Sequence, residues 1–76
     1  MIAVDTNVIV RLMTEDDKSQ YQKSVRLIRH HDIFISTTVL QETEWVLRYG
    51  YLFNRRDINN ALLGLAGLEN VYIDNP

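Results

Sequence analysis

An α/β fold, a parallel sheet covered by helices, is what this sequence predicts, and three observations predict it. Short apolar runs rich in β-branched residues recur at Met1 to Val4, Ile33 to Ile35 and Val71 to Ile73, each of a length that suits a buried strand better than a helix. Between them, apolar residues repeat at helical spacing. The first two runs also end on residues able to cap a helix: Asp5 or Thr6 after the first, Ser36, Thr37 or Thr38 after the second.

The elements follow in order. After the opening strand, Val8, Ile9, Leu12 and Met13 fall on one face of a first helix. Glu15, Asp16 and Asp17 open a second, whose face is lined by Tyr21, Val25 and Ile28 and whose end carries Arg26, Arg29 and His30, the polarity a helix dipole favours. The second strand leads into a third helix with apolar positions Val39, Leu40, Thr43, Val46 and Leu47, which Gly50 stops. Asp57 is the expected cap of a fourth helix through Ile58, Ala61, Leu62 and Leu65, loosened by Gly64 and Gly67. The third strand precedes Asp74, Asn75 and Pro76. Right-handed crossovers of constant sense lay the strands in the order 3-2-1, within a doubly wound sheet that has helices on both faces. Strand 1 then has a free apolar edge, which natural folds cover, shorten or charge. Further strands are expected to pair there, so that residues 1–76 are the N-terminal portion of a larger domain whose other half lies beyond residue 76 or in another chain.

Composition narrows the function classes. The chain has 76 residues, 46% hydrophobic and 24% charged, an ordinary globular balance without a disorder signature. There is no Cys, and the two His are the adjacent His30 and His31, so neither disulfides nor structural zinc can staple a thin core. Absence of Cys is compatible with a reducing cytoplasm, where we expect the protein to reside. The opening segment has no basic start and is interrupted by Asp5 and Asn7, unlike a signal peptide, and no membrane-spanning run is present. A formal net charge of -2 argues against nucleic-acid binding by blanket electrostatics and leaves only local contacts.

In a doubly wound sheet, ligands bind outside the carboxyl ends of the strands where strand order reverses, and Asp5 ends strand 1 at such a place. Glu42 sits one turn into the helix after strand 2, where side chains tilt back toward the same rim. Two carboxylates in a cleft can hold a hydrated Mg2+ or Mn2+ with positions left for water and phosphate oxygens, and such an ion activates water for phosphodiester hydrolysis. Asp5 and Glu42 are therefore the candidate catalytic and metal-binding residues. Plainer readings stand beside this one: Asp5 as a helix cap, Glu42 as a solvated helix residue. Glu44, about 200° further round the helix, cannot share the cleft and reads as surface. Thr6 and Asn7 are candidates to orient Asp5 or a metal-bound water, and Asn7 can equally satisfy first-turn amides. His30 and His31 read as helix-terminus residues rather than ligands. Arg48, Arg55 and Arg56 are candidate RNA-phosphate contacts, although Arg at helix ends is often simply solvated. Trp45 and Tyr49, at i and i+4, suggest packing against a neighbouring helix or subunit, and Tyr51, Leu52 and Phe53 add apolar bulk of the kind found at protein interfaces.

Two segments carry a family resemblance. MIAVDTNVIVRL at residues 1–12 runs from an apolar strand into Asp-Thr-Asn and a helix, and STTVLQETEWVLR at residues 36–48 runs from a strand end into a helix with Glu42 facing the site. Together with the strand-helix-helix-strand-helix-helix-strand order they resemble a PIN domain, most closely the toxin ribonucleases of VapC-type toxin-antitoxin pairs, and residues 58–74 resemble the family's next segment. The resemblance implies a metal-dependent endoribonuclease using Mg2+ or Mn2+, with Asp5 and Glu42 matching the first two acidic ligands and the remaining ones following the third strand. It also implies an RNA substrate, an antitoxin partner laid across the first, second and fourth helices, and a homodimer or pairing through the open sheet edge. The expectation for these residues alone is near-inactivity, because too few carboxylates hold the ion. The rival expectation is a non-catalytic antitoxin-binding or protein-interaction module. A phosphatase-like hydrolase is disfavoured, since Asp5 is followed by Thr6 and Asn7 rather than by a second nearby Asp.

Overall fold

A computed structural model describes residues 1–73. The chain runs β1 (Ile2–Ala3), α1 (Thr6–Thr14), α2 (Lys18–His30), β2 (Ile33–Ile35), α3 (Thr37–Tyr49), α4 (Arg55–Ala66) and β3 (Val71–Ile73). Asp74, the last residue of the segment that resembles the PIN family, lies outside the described residues, as do Asn75 and Pro76.

All three strands are parallel, in the order β1-β2-β3, the predicted 3-2-1 order read from the other edge. Ile2 pairs with Ile33 and Ile33 with Val71, while Ala3, Phe34 and Tyr72 align across the sheet one residue later. Because strand side chains alternate between faces, this register separates two rows. Ile33 and Ile35 are completely buried, and with Val4 and Val71 they meet Ile9 of α1, Ile28 of α2 and Leu65 of α4 in one core. Val39 and Leu40 of α3 pack against the same cluster. The other row is open, with Ala3 and Tyr72 exposed. Of the two helical layers expected, the described residues build the one over Ile33 and Ile35. Truncating either isoleucine to Ala costs about 2–5 kcal/mol, the range for a deleted core aliphatic.

Each helix start has a local cause. Asp5, Asp17, Ser36 and Asn54 hold extended backbone, and their side chains accept the N–H of Val8, Gln20, Val39 and Asp57 respectively. The cap of α4 is thus Asn54, and the predicted cap Asp57 instead lies in the first turn, where its carboxylate faces the positive end of the helix dipole. Helix ends are equally specific. Glu15, in left-handed backbone, closes α1 by donating its N–H to the Arg11 carbonyl. At the end of α3, a Cβ on Gly50 would lie 2.8 Å from the Val46 carbonyl oxygen, so this stop needs glycine for close approach rather than for a positive φ.

The helical faces largely follow the predicted spacing. Ile9, Ile28, Leu47, Ile58 and Leu65 are buried where expected, and Val10 and Ser24 are buried as well. Thr43 is completely buried in α3, its hydroxyl satisfied by donation to the Val39 carbonyl at 2.7 Å. No helix among the described residues is long and apolar enough to cross a membrane.

Candidate functional site

The three parallel strands end at one edge of the sheet. Asp5 follows β1 there, and Ser36 follows β2 and starts α3 at the same edge. Glu42 lies in the second turn of α3, and its carboxylate reaches α1: Thr6 Oγ1 donates to Glu42 Oε2 at 2.8 Å. Asp5 immediately precedes Thr6, so the structure brings Asp5, Thr6 and Glu42 to one rim. Glu42 and Asp5 are both exposed to solvent.

Asp5 is also a helix cap. Its Oδ1 accepts the Val8 N–H at 3.1 Å, which fixes the carboxylate at the N-terminus of α1, where amide dipoles favour negative charge. Capping and ligation are compatible, because a carboxylate has two oxygens and about four acceptor positions. The Thr6 hydroxyl, beside Asp5, donates to Glu42. Asn7 is exposed, and among the described residues its side chain makes no hydrogen bond to Asp5.

Solvent-exposed carboxylates such as Asp5 and Glu42 are donors of the kind a hard divalent cation takes. Among the described residues no group of three or more His, Asp or Glu side chains gathers around a common point.

The arginines lie elsewhere. Arg48 forms an ion pair with Glu44 one turn earlier in α3, and its guanidinium stands 6.0 Å from the Tyr49 ring centroid. By helix geometry Arg48 is about 9 Å along the axis from Glu42 and about 240° around it, so it does not share the rim. Arg55 and Arg56 are exposed in the first turn of α4. His30 and His31, at the end of α2, share a polar hollow with Arg29, Asp32 and Asn70 where β2 and β3 begin, the opposite edge from Asp5.

Two features outside the sequence-based candidates shape this frame. Asn70 Nδ2 donates to the carbonyls of Ile28 and His31, at 2.5 and 2.8 Å, closing the end of α2 from a residue about 40 positions away. The loop after α3 also turns back on itself, with Tyr51 edge-on to Phe53 at a centroid distance of 6.5 Å. The Tyr51 phenol is held above its ordinary pKa by hydrogen bonding to Asp16, then by burial and the Asp16 charge, with Thr14 opposing. Trp45 and Tyr49 are 62% and 66% exposed. Together with Val46 and Gly50 they line a shallow surface groove.

Comparison with known proteins bears on what this rim does. Neither the curated proteins nor the solved structures contain a match to the chain. The family model for the PIN domain matches residues 2–75. PIN domains are in general nucleases that use divalent metal ions and bind RNA. The matched span takes in both segments that converge on the Thr6–Glu42 hydrogen bond, and on that match the chain belongs to the PIN domain family.

Proposed function

We propose that this chain contributes the first two acidic ligands of a metal-dependent endoribonuclease, Asp5 and Glu42. The observation that carries the reading is the 2.8 Å hydrogen bond from Thr6 to Glu42, which ties the α3 carboxylate to the residue next to Asp5. A divalent ion bound there, Mg2+ or Mn2+, would supply an activated water and offset charge on the phosphate oxygens.

The chain's own groups have narrower tasks. Asp5 presents its carboxylate from a fixed helix start, and Thr6 restrains Glu42 in one rotamer, lowering the entropy lost when both acids engage a ligand. Asn7, exposed one residue on, can donate to a phosphate or water at the rim. With two carboxylates alone the expected cleavage is weak.

The test uses RNA and Mn2+ with two proteins: the 76-residue chain and a chimera that adds the C-terminal acidic segment of a PIN nuclease. Near-background cleavage is expected from the first and Mn2+-dependent cleavage from the second. Asp5→Ala and Glu42→Gln should each reduce the chimera's rate by at least about a hundredfold, as loss of a group acting in the transition state does. Cleavage that survives both substitutions overturns the assignment.

The toxin role within a toxin-antitoxin pair is part of the same proposal, and a second reading shares its surface. Trp45, Tyr49 and the 84% exposed Leu52 present apolar surface to solvent. Leu40, Leu62, Leu63, Ala66 and Ile73 line a separate, mainly apolar groove beside α4. Such surfaces support an antitoxin-binding module or a homodimer. Titration with the cognate antitoxin and sedimentation of the chain alone decide between them. Absence of both association events at micromolar concentration rejects the interaction reading.

A further inference from the structure

The chain's modest net charge conceals a strong asymmetry. Four of its eight Lys and Arg residues, Lys18, Lys23, Arg26 and Arg29, lie in the thirteen residues of α2, which contain none of its ten Asp and Glu. With His neutral, α2 therefore carries +4 and the rest of the chain -6, against the overall -2.

These cations occupy one side of the helix. The exposed residues of α2 are Lys18, Ser19, Gln22, Lys23, Arg26, Arg29 and His30. At about 100° per residue all seven fall within an arc of about 140°, and Lys18 to Arg29 spans about 17 Å of axis. Among the described residues none of the four cations is ion-paired, whereas Arg48 is bound to Glu44.

Two ordinary explanations fall short. Interaction with the helix dipole accounts for Arg29 near the C-terminal end, but Lys18 and Lys23 sit in the N-terminal half, and Lys18 is at the end where the dipole disfavours a cation. Insertion into an anionic bilayer needs a free apolar face, but Ser24 and Ile28 of α2 are buried and Leu27 packs on the core.

We propose that the outward face of α2 is a docking surface for the phosphate backbone of single-stranded RNA. An unpaired row of cations matches a flexible polyanion, which gains affinity through release of its counterions. Tyr21 lines a shallow groove with Gln22, Val25 and Arg26, so an aromatic residue and an amide stand beside the row. The choice of RNA rests on the nuclease reading above. An acidic polypeptide would meet the same charges and is an outcome of the test.

Binding of a fluorescein-labelled single-stranded RNA to the 76-residue chain is measured by anisotropy in EDTA, where metal-dependent cleavage is silent, across about 50 to 200 mM salt. The variant Lys23→Gln/Arg26→Gln/Arg29→Gln should bind about tenfold more weakly at low salt. Its log-log salt slope should be shallower by about 2, since each single-strand phosphate contact contributes about 0.7. Arg26→Lys/Arg29→Lys keeps the charges and should keep the slope. Circular dichroism checks that helix content is retained. Because binding is read in EDTA without cleavage, loss of the cleavage reading leaves this result standing. The proposal is overturned if the parent chain does not bind RNA, if the triple variant binds within twofold of the parent, or if polyglutamate binds the parent more tightly than RNA does.

Discussion

Thr6 Oγ1 donates to Glu42 Oε2 at 2.8 Å, tying the first residue of α1 to a carboxylate 36 positions later in α3. The bond lies at the surface, so its net stabilising effect is small. We predict that Thr6→Val lowers stability by no more than about 1 kcal/mol. Its larger effect is on Glu42, which becomes free to sample other rotamers. Mn2+ affinity should fall severalfold in Thr6→Val and be retained in Thr6→Ser, as isothermal titration calorimetry can show. Equal affinity in Thr6→Val and the parent would remove the positioning role.

Asn70 makes a different kind of tie. Its amide donates to two carbonyls at the end of α2, and the part-buried bond to Ile28 cannot be fully replaced by water. Asn70→Ala should cost about 1–3 kcal/mol in urea denaturation, the penalty for stranding partners of a lost donor. Asn70→Asp should cost more than the alanine, because its oxygens face carbonyl oxygens and cannot donate. An unchanged denaturation midpoint in both variants would show that this closure contributes nothing.

Leu52 has φ 57° and is almost wholly exposed. A left-handed backbone strains a residue with a Cβ, and here no burial of the side chain offsets it. Leu52→Gly should therefore raise stability by about 0.5–1 kcal/mol, despite glycine's greater unfolded-state entropy. A lower thermal midpoint for this variant would indicate that Leu52 makes contacts worth more than the strain.

Tyr51 supplies a pH dependence. Its phenol is raised by the hydrogen bond to Asp16, by burial and by the Asp16 charge. The neutral phenol is thus favoured in the folded chain. Its contribution to stability is fully present below the unfolded value near 10 and is lost as pH rises through the higher folded value. The Tyr51 phenolate should form above the ordinary tyrosine range in an ultraviolet titration. Asp16→Asn should bring that titration down toward the ordinary range, and no change in Asp16→Asn would dissociate the two residues.

What could be seen in the sequence was mostly what local chemistry decides. Ile33 to Ile35 had to be a buried strand because it is short, apolar and β-branched, and Ser36 had to offer a cap because a helical pattern follows it. The approach of Glu42 to the residue next to Asp5 was also accessible, since parallel strands send the starts of α1 and α3 to one edge. Local rules reached their limit where two residues of similar chemistry competed: Asn54 and Asp57 can both cap a helix, and the backbone extends at Asn54. Long-range ties left no trace in local patterns. Nothing near Asn70 announces that its amide closes α2, and nothing near Thr6 announces that its hydroxyl reaches Glu42. Trp45 and Tyr49 had the spacing of a packed pair, yet spacing cannot show whether a partner lies within the chain. The basic face of α2 was present in the residues, hidden by acids elsewhere that cancel it in the total.

The most direct test of the account is Mn2+ titration of the isotopically labelled chain, read by paramagnetic broadening of individual amide signals. If Asp5 and Glu42 hold one ion, broadening begins together around residues 5–7 and 41–43, and Asp5→Asn abolishes it at both places. Broadening confined to one of those segments, or unchanged in Asp5→Asn, would contradict it.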